Sequence, residues 1–268
     1  MKIALCEMDI KWEEKEENKK TVATFLTHCA AIGAKLVLFP EMTLTGFTMN
    51  AACAAEDNYK TSAFFIECAV KYKLAVGYGS VTLGKDKKGR NNYSIISKSG
   101  EDISSYCKLH PFSFGEESKH YNRGNELSIS SLEDLTLSTF ICYDLRFPEI
   151  FQAASKNSEL ITVAANWPEV RREHWITLLR ARAIENQCYI AGINRIGRGG
   201  SIDYCGDSSV YSPDGELVSR LELSLGELGN IYTADIDASI VHSVRDRFRL
   251  KDDRRVDFYI SQYEKQLK

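Results

Sequence analysis

Proline is scarce in this chain, five in 268 residues, and no apolar run approaches the roughly 20 residues that a membrane span needs. The first scarcity leaves no Pro/Gly-rich linker to divide the chain, and the second argues against a membrane location. Internal repeats and low-complexity tracts are missing as well, which removes solenoids and disordered arrays. There is no long basic tract. Charges of both signs are mixed along a chain of net charge -3 and pI near 6.0, so a nucleic-acid partner is not expected. Metal-ligand spacing is absent too: no C-x-x-C occurs, nor an H-x-E with a downstream C-x-x-C, so no metal site is expected. Eight cysteines are few for this length and no secretory signal precedes them, so the expectation is reduced thiols in a cytoplasmic protein.

What is present is apolar material, 44% of the residues, enough for one large α/β domain spanning 1–268. Runs rich in Val, Ile and aromatics predict strands at 3–8, 36–39, 75–81, 93–98, 104–108, 135–142, 161–165, 189–193, 209–211 and 232–235. Helical periodicity lies between the early ones. Val22, Phe25, Leu26 and Cys29 share a face ahead of Gly33, and Phe64, Phe65, Cys68 and Ala69 share another. A further helix is predicted near 175–187, and another beginning in "DLRFPE", where Pro148 suits a first helical position. Hairpins are predicted at "GKDKKGRNN" and "SPDGE". Strand-helix alternation followed by hairpins suggests two packed mixed sheets with helices outside.

Three of the predicted strands close on an ionisable residue. Glu41 follows Pro40 after "LVLF", Lys108 ends "ISSYCK", and Cys142 ends "LSTFIC". In layered α/β proteins strand ends converge on a common crevice although they are remote in sequence. The three chemistries are complementary. A thiol attacks a carbonyl carbon as thiolate, a carboxylate takes its proton, and an ammonium stabilises the anions formed. The backbone N–H of Tyr143 adds an oxyanion donor if the chain turns after Cys142. Each residue also has a plainer reading: Glu41 as a surface acid, Lys108 as an edge-strand charge, Cys142 as core.

The segments "FPEMTLTGF", "YCKLHPFSFGEE" and "ICYDLRFPE" resemble, in this order, the three signatures of the nitrilase superfamily, the carbon-nitrogen hydrolases with a Glu-Lys-Cys triad. The resemblance runs from "MKIALCEMDI" to "NIYTADID". It implies an α/β fold, a four-layer αββα sandwich of two mixed β-sheets flanked by helices, and assembly as a homodimer. It implies Glu41 as base, Lys108 as oxyanion stabiliser and Cys142 as nucleophile, with no cofactor. Many such proteins carry a second glutamate after the lysine. Glu116 and Glu117 both stand there, and the E-x-x-x-Y-x-x-G spacing from Glu117 to Gly124 selects Glu117.

The stretch "VAANWPEVRREHWITLLRARAIENQCYIAGINRIG" followed by "YCGDSSVYSPDGE" is similar to the omega-amidase branch. That branch releases ammonia from the terminal amide of short 2-oxo dicarboxylic acid monoamides, 2-oxoglutaramate and 2-oxosuccinamate. Such a small-molecule amide carries a distal carboxylate, which calls for a cation. Arg146, Arg171 and Arg172 are candidates, with Trp167 as a pocket wall. Arg146 alternatively pairs with Asp144 or Glu149, and Arg182 with Glu185 as a helix-surface pair. The resemblance implies that this helix lies at a dimer contact. Three other readings stay open: another amidase of the superfamily acting on deaminated glutathione or N-carbamoyl compounds, a Cys-His enzyme using His110 or His174, and a non-catalytic binding relative.

Overall fold

The computed structural model of the chain describes residues 1–55 and 59–267. Its first half builds one sheet and that sheet's outer helices. Strand β1 (Lys2–Met8) leads into helix α1 (Lys15–Ala31) and β2 (Leu36–Leu38); the short α2 (Ala51–Ala54) and α3 (Lys60–Tyr72) precede β3 (Ala75–Leu83), β4 (Gly89–Ile96) and β5 (Asp102–Cys107). After a single turn of helix, α4 (Glu117–His120), comes β6 (Tyr121–Asn122). The second half begins with β7 (Ile129–Leu132), β8 (Leu135–Ile141), helix α5 (Pro148–Ala154) and β9 (Leu160–Ala164). It continues through α6 (Arg172–Asn186), β10 (Tyr189–Ile193), the hairpin β11 (Ile196–Gly199) and β12 (Ile202–Cys205), and β13 (Ser209–Tyr211). Strands β14 (Arg220–Ser224) and β15 (Gly229–Asp235) return to the first sheet before α7 (Ala238–Arg247) and α8 (Val256–Gln266).

The first sheet has the order β14-β15-β1-β2-β3-β4-β5, with β6 beside β4, and the second the order β13-β10-β9-β8-β7. Both are mixed. Strands β1, β2 and β3 run parallel, as do β8, β9 and β10, and the flanking pairs are antiparallel. Alternation along β1 explains the layering. Ile3 and Leu5 join the core between the sheets, while Ala4, Cys6 and Met8 meet Val22, Phe25, Leu26 and Cys29 of α1 on the other face. Phe65 of α3 stacks on Tyr78 of β3, with ring centroids 3.9 Å apart. On the second sheet, Trp175, Leu179 and Ala183 of α6 and Phe151 of α5 are buried. The result is the expected four-layer αββα sandwich. Among the described residues no helix is long and apolar enough to cross a membrane.

Several elements differ from expectation. Strand β4 starts at Gly89 rather than at 93, because the turn of "GKDKKGRNN" closes at Gly84, whose N–H binds Lys88 O at 2.8 Å. Its ladder with β3 therefore reaches Leu83↔Gly89 and includes Asn91. Helix α6 starts earlier, at Arg172. The hairpin β11–β12 and the helices α7 and α8 lay outside the expectation, as did the edge strands β7 and β14, whose side chains are mostly half-buried or exposed.

One glycine sets where the end of β2 can lie. Beyond Pro40 the chain turns at Glu41 and Met42, Met42 having φ +47°. Thr43 pins the turn to β3: its N–H binds Gly79 O at 3.1 Å, and its Oγ1 accepts from Gly79 N at 2.9 Å and donates to Pro40 O at 2.7 Å. A Cβ on Gly79 would stand 2.2 Å from Met42 N and 2.8 Å from Glu41 C. Backbone cannot yield there as a side-chain tip can, so Gly79→Ala is expected to destabilise the protein by about 2 kcal/mol or more, measured by urea denaturation.

Candidate active site

Glu41, Lys108 and Glu117 form one buried ion cluster, with relative exposures of 0%, 1% and 0%. Lys108 Nζ donates to Glu41 Oε1 at 2.9 Å and to Glu117 Oε2 at 2.9 Å. Asn91, on the neighbouring strand β4, bridges the same carboxylates, donating from Nδ2 to Glu41 Oε1 at 2.7 Å and Glu117 Oε1 at 3.1 Å. Glu117 Oε2 also accepts from Phe112 N at 2.5 Å. From the end of β9, Asn166 reaches Glu41 three times: its backbone N–H binds Oε2 at 3.0 Å, and its Nδ2 binds Glu41 O at 2.7 Å and, more loosely, Oε2 at 3.4 Å. Burial alone would push Lys108 down, but the charges of Glu117 and Glu41 reverse this and hold it well above the ordinary lysine value. Lys108 is therefore an ammonium, and its Nζ also reaches the second oxygen of Glu117, Oε1, at a longer 3.2 Å.

Cys142 sits where β8 stops. It has φ +46°, a left-handed conformation that costs a side-chain-bearing residue free energy and occurs at sharp turns presenting a reactive group. The single turn of 3₁₀ helix from Cys142 to Arg146 follows, and the N–H of Tyr143 lies in its unbonded first turn. Asp144 fixes the turn. Its buried carboxylate accepts from Ile141 N at 3.1 Å, Tyr106 OH at 2.7 Å and His110 N at 3.0 Å, and pairs with His110 Nδ1 at 2.8 Å. It thus ties the end of β8 to β5 and to the loop that follows Lys108. On the other side, Arg182 of α6 donates from Nε and Nη2 to Leu145 O at 3.2 and 2.9 Å.

The sulfur and Lys108 share a cavity with Asn166, Trp167, Arg146 and Arg171. Aromatic side chains, Phe47, Phe112 and Tyr143 among them, form much of its wall. Burial pushes the Cys142 thiol up, the carboxylate of Glu41 raises it further, and Lys108 opposes both without cancelling them. The resting group is a thiol, so its reaction needs a base at hand. Its hydrogen bond goes to Asn166 O at 3.9 Å.

The predicted residues thus fall into distinct places. Glu41, Lys108 and Glu117 touch, and Cys142 and Lys108 face one cavity. Glu116, the other glutamate of the pair, is exposed and pairs with Lys119. Arg146 makes neither of its anticipated acidic pairs: Asp144 is taken by Tyr106 and His110, and Arg146 instead approaches His174 Nδ1 at 3.2 Å and lies 4.8 Å from the Trp167 ring centroid. Arg171 lies 5.5 Å from the Phe112 ring centroid. Neither has a carboxylate partner among the described residues. Arg172 points elsewhere, gripping Asp207 at 2.6 and 2.7 Å. Arg182 does meet Glu185 at 2.9 Å, yet it is buried rather than a surface residue. Trp167 is held by Asn194 Oδ1, 2.8 Å from its N, and by Arg171 O, 2.8 Å from its Nε1. His110 and His174 are engaged with Asp144 and Arg146. Asn91 and Asn166 have no place in the sequence reading, and Asp144 enters it only as a partner for Arg146; the available signal is a polar residue within or next to a buried strand.

Three comparisons with known proteins bear on the family of the chain. The carbon-nitrogen hydrolase family model matches residues 2–246. The chain is 31% identical over 260 residues to the 2-oxoglutaramate amidase of Bacillus subtilis (strain 168), covering 96% of this chain and 98% of that protein. It is 30% identical over 251 residues to the omega-amidase YafV of Escherichia coli (strain K12), covering 92% and 94% respectively. Among solved structures, XC1258 from Xanthomonas campestris, a CN-hydrolase superfamily protein with an arsenic adduct in its active site, superposes with TM-score 0.86 at 29% identity, covering 95% of this chain and 97% of that one. The amidase from Nesterenkonia sp. AN1, at 22% identity and TM-score 0.84 over 98% of this chain and 99% of that one, shares the fold.

Removing the cation from the buried cluster leaves two carboxylates with no counter-charge. Lys108→Met is expected to lower stability by about 3–5 kcal/mol in urea denaturation, and adding Glu117→Gln should recover part of that loss.

Proposed function

Because the chain belongs to the carbon-nitrogen hydrolase family, we propose that it hydrolyses the terminal amide of short 2-oxo dicarboxylic acid monoamides, 2-oxoglutaramate and 2-oxosuccinamate, through a thioester on Cys142. The observation that carries this reading is a division of charge within one cavity. A thiol and the ammonium of the buried Glu-Lys-Glu cluster line it, and two guanidiniums without carboxylate partners among the described residues, Arg146 and Arg171, stand in its wall. An acyl group with a carboxylate at its far end matches that division. The names of the relatives in Bacillus subtilis and Escherichia coli agree with it.

The steps follow from the hydrogen bonds. Both oxygens of Glu41 already accept, but the second donor to Oε2, Asn166 Nδ2, is stretched to 3.4 Å. Oε2 is therefore the oxygen with room for the thiol proton. As that proton leaves sulfur, the S–C bond forms and the carbonyl oxygen becomes an anion, bound by the N–H of Lys108 that otherwise makes the longer 3.2 Å contact with Glu117 Oε1, and by the N–H of Tyr143. Collapse breaks the C–N bond, and Glu41 returns its proton to the departing nitrogen, releasing ammonia. Water then attacks the thioester with Glu41 again as base. The C–S bond breaks and the proton goes back to sulfur. Glu117 acts by holding Lys108 and the Phe112 backbone in place. Trp167 and Arg146, stacked on one another, with Arg171 opposite Phe112, take the distal carboxylate.

Cys142→Ala is expected to abolish ammonia release from 2-oxoglutaramate while the protein unfolds at an unchanged urea midpoint; full activity would refute the scheme. Arg171→Gln and Arg146→Gln each remove a charge-assisted contact, so kcat/KM should fall roughly 10- to 100-fold on the acidic amide, with a much smaller change on a neutral amide of equal length. Equal losses on both substrates would contradict a carboxylate-binding role.

A further inference from the structure

Hairpin β11–β12 brings to the cavity a polar group that the steps above leave unused, the phenol of Tyr204. Its side chain is nine-tenths buried, with 6% of the residue exposed, yet its hydroxyl has no protein hydrogen-bond partner among the described residues. Three of the buried tyrosines do find one, as expected for a hydroxyl removed from water. Tyr93 donates to Phe39 O at 2.8 Å, Tyr106 to Asp144 at 2.7 Å and Tyr121 to Thr48 O at 2.7 Å.

The ring is also held firmly. The guanidinium of Arg195 lies 4.7 Å from its centroid and is itself bonded to Ile10 O at 2.7 Å and Arg198 O at 3.1 Å. Burial pushes the phenol up, and among the charges it then feels are Cys142, Glu41 and Arg171. The hydroxyl is thus a protonated, immobilised donor within electrostatic reach of both the reacting sulfur and the cationic wall.

We propose that Tyr204 is a specificity-determining residue whose hydroxyl donates a hydrogen bond to the 2-oxo oxygen of the substrate, an inference that rests on the function proposed above. With the amide carbon at Cys142 and the carboxylate at Arg146 and Arg171, the keto group, on the carbon next to that carboxylate, lies along the wall between them. A keto oxygen only accepts, so it needs a donor there. A 2-amino group in its place is an ammonium at neutral pH and is repelled by the two guanidiniums, so the same wall rejects the amino acid amide.

The test compares kcat/KM for ammonia release from 2-oxoglutaramate and from the monoamide of glutaric acid, which has the same length and lacks the oxo group. Wild type should prefer the oxo compound, and Tyr204→Phe should lose roughly 10- to 100-fold on it while changing little on the plain monoamide. Equal loss on both, or no loss, overturns the proposal. A wild-type enzyme that hydrolyses both with equal efficiency also overturns it and leaves the omega-amidase reading intact. One that hydrolyses neither overturns both. A binding measurement guards against a fold defect: in Cys142→Ala, calorimetry should show tighter binding of 2-oxoglutarate than of glutarate, and adding Tyr204→Phe should erase that preference without weakening glutarate. A preference that survives the second substitution counts against the proposal.

Discussion

A lysine ammonium shut away from water between two carboxylates is the constraint on which the rest of this site depends. Lys108 at 1% exposure is tolerable only because Glu41 and Glu117 stand 2.9 Å away on either side. That arrangement in turn leaves an excess negative charge, which is why so many neutral donors converge on the same oxygens. Asn91 Nδ2, Asn166 N and Phe112 N all point at them. The donors come from β4, from the end of β9 and from the loop after β5, so the electrostatic requirement of one side chain fixes where both sheets must meet.

Within the cavity the charges are sorted rather than mixed. Carboxylates lie deep, beside the thiol, and raise it; guanidiniums lie in the wall, paired with aromatic rings rather than with acids. A stack on Trp167 or Phe112 holds an arginine in place without neutralising it. On the function proposed here, that field orients an anionic amide with its carboxylate toward the guanidiniums and its carbonyl toward Lys108. Cys142 feels the same field: burial and the carboxylates favour its thiol, so the reaction proposed above needs a base to take its proton.

The sheet layers and the ends of β2, β5 and β8 were readable because buried strands advertise themselves as apolar runs, and a charged residue at the end of such a run is conspicuous. Asn91 was hidden for the opposite reason. It stands in "GKDKKGRNN", whose composition reads as a turn, whereas the turn closes at Lys88 and β4 has already begun. Hairpin β11–β12 was masked in the same way by "GRGG", although Arg195 beneath it supplies the anchoring that the glycines do not. The partners of Arg146 and Arg182 could not be read from spacing, since His174 and the carbonyl of Leu145 are neighbours only in three dimensions. Asp144 shows the same limit: adjacency in sequence suggested Arg146, and geometry chose Tyr106 and His110.

Hairpin β11–β12 carries a further consequence. It forms a two-stranded unit outside both large sheets, joined to the scaffold through Arg195 and the bridge between Asp9 and Ile196. Lengthening or recolouring that flap would leave the sulfur, the ammonium and the acids untouched. Divergence toward new acyl groups therefore has a natural place to act, a wall built apart from the two sheets that carry the thiol and the buried charges.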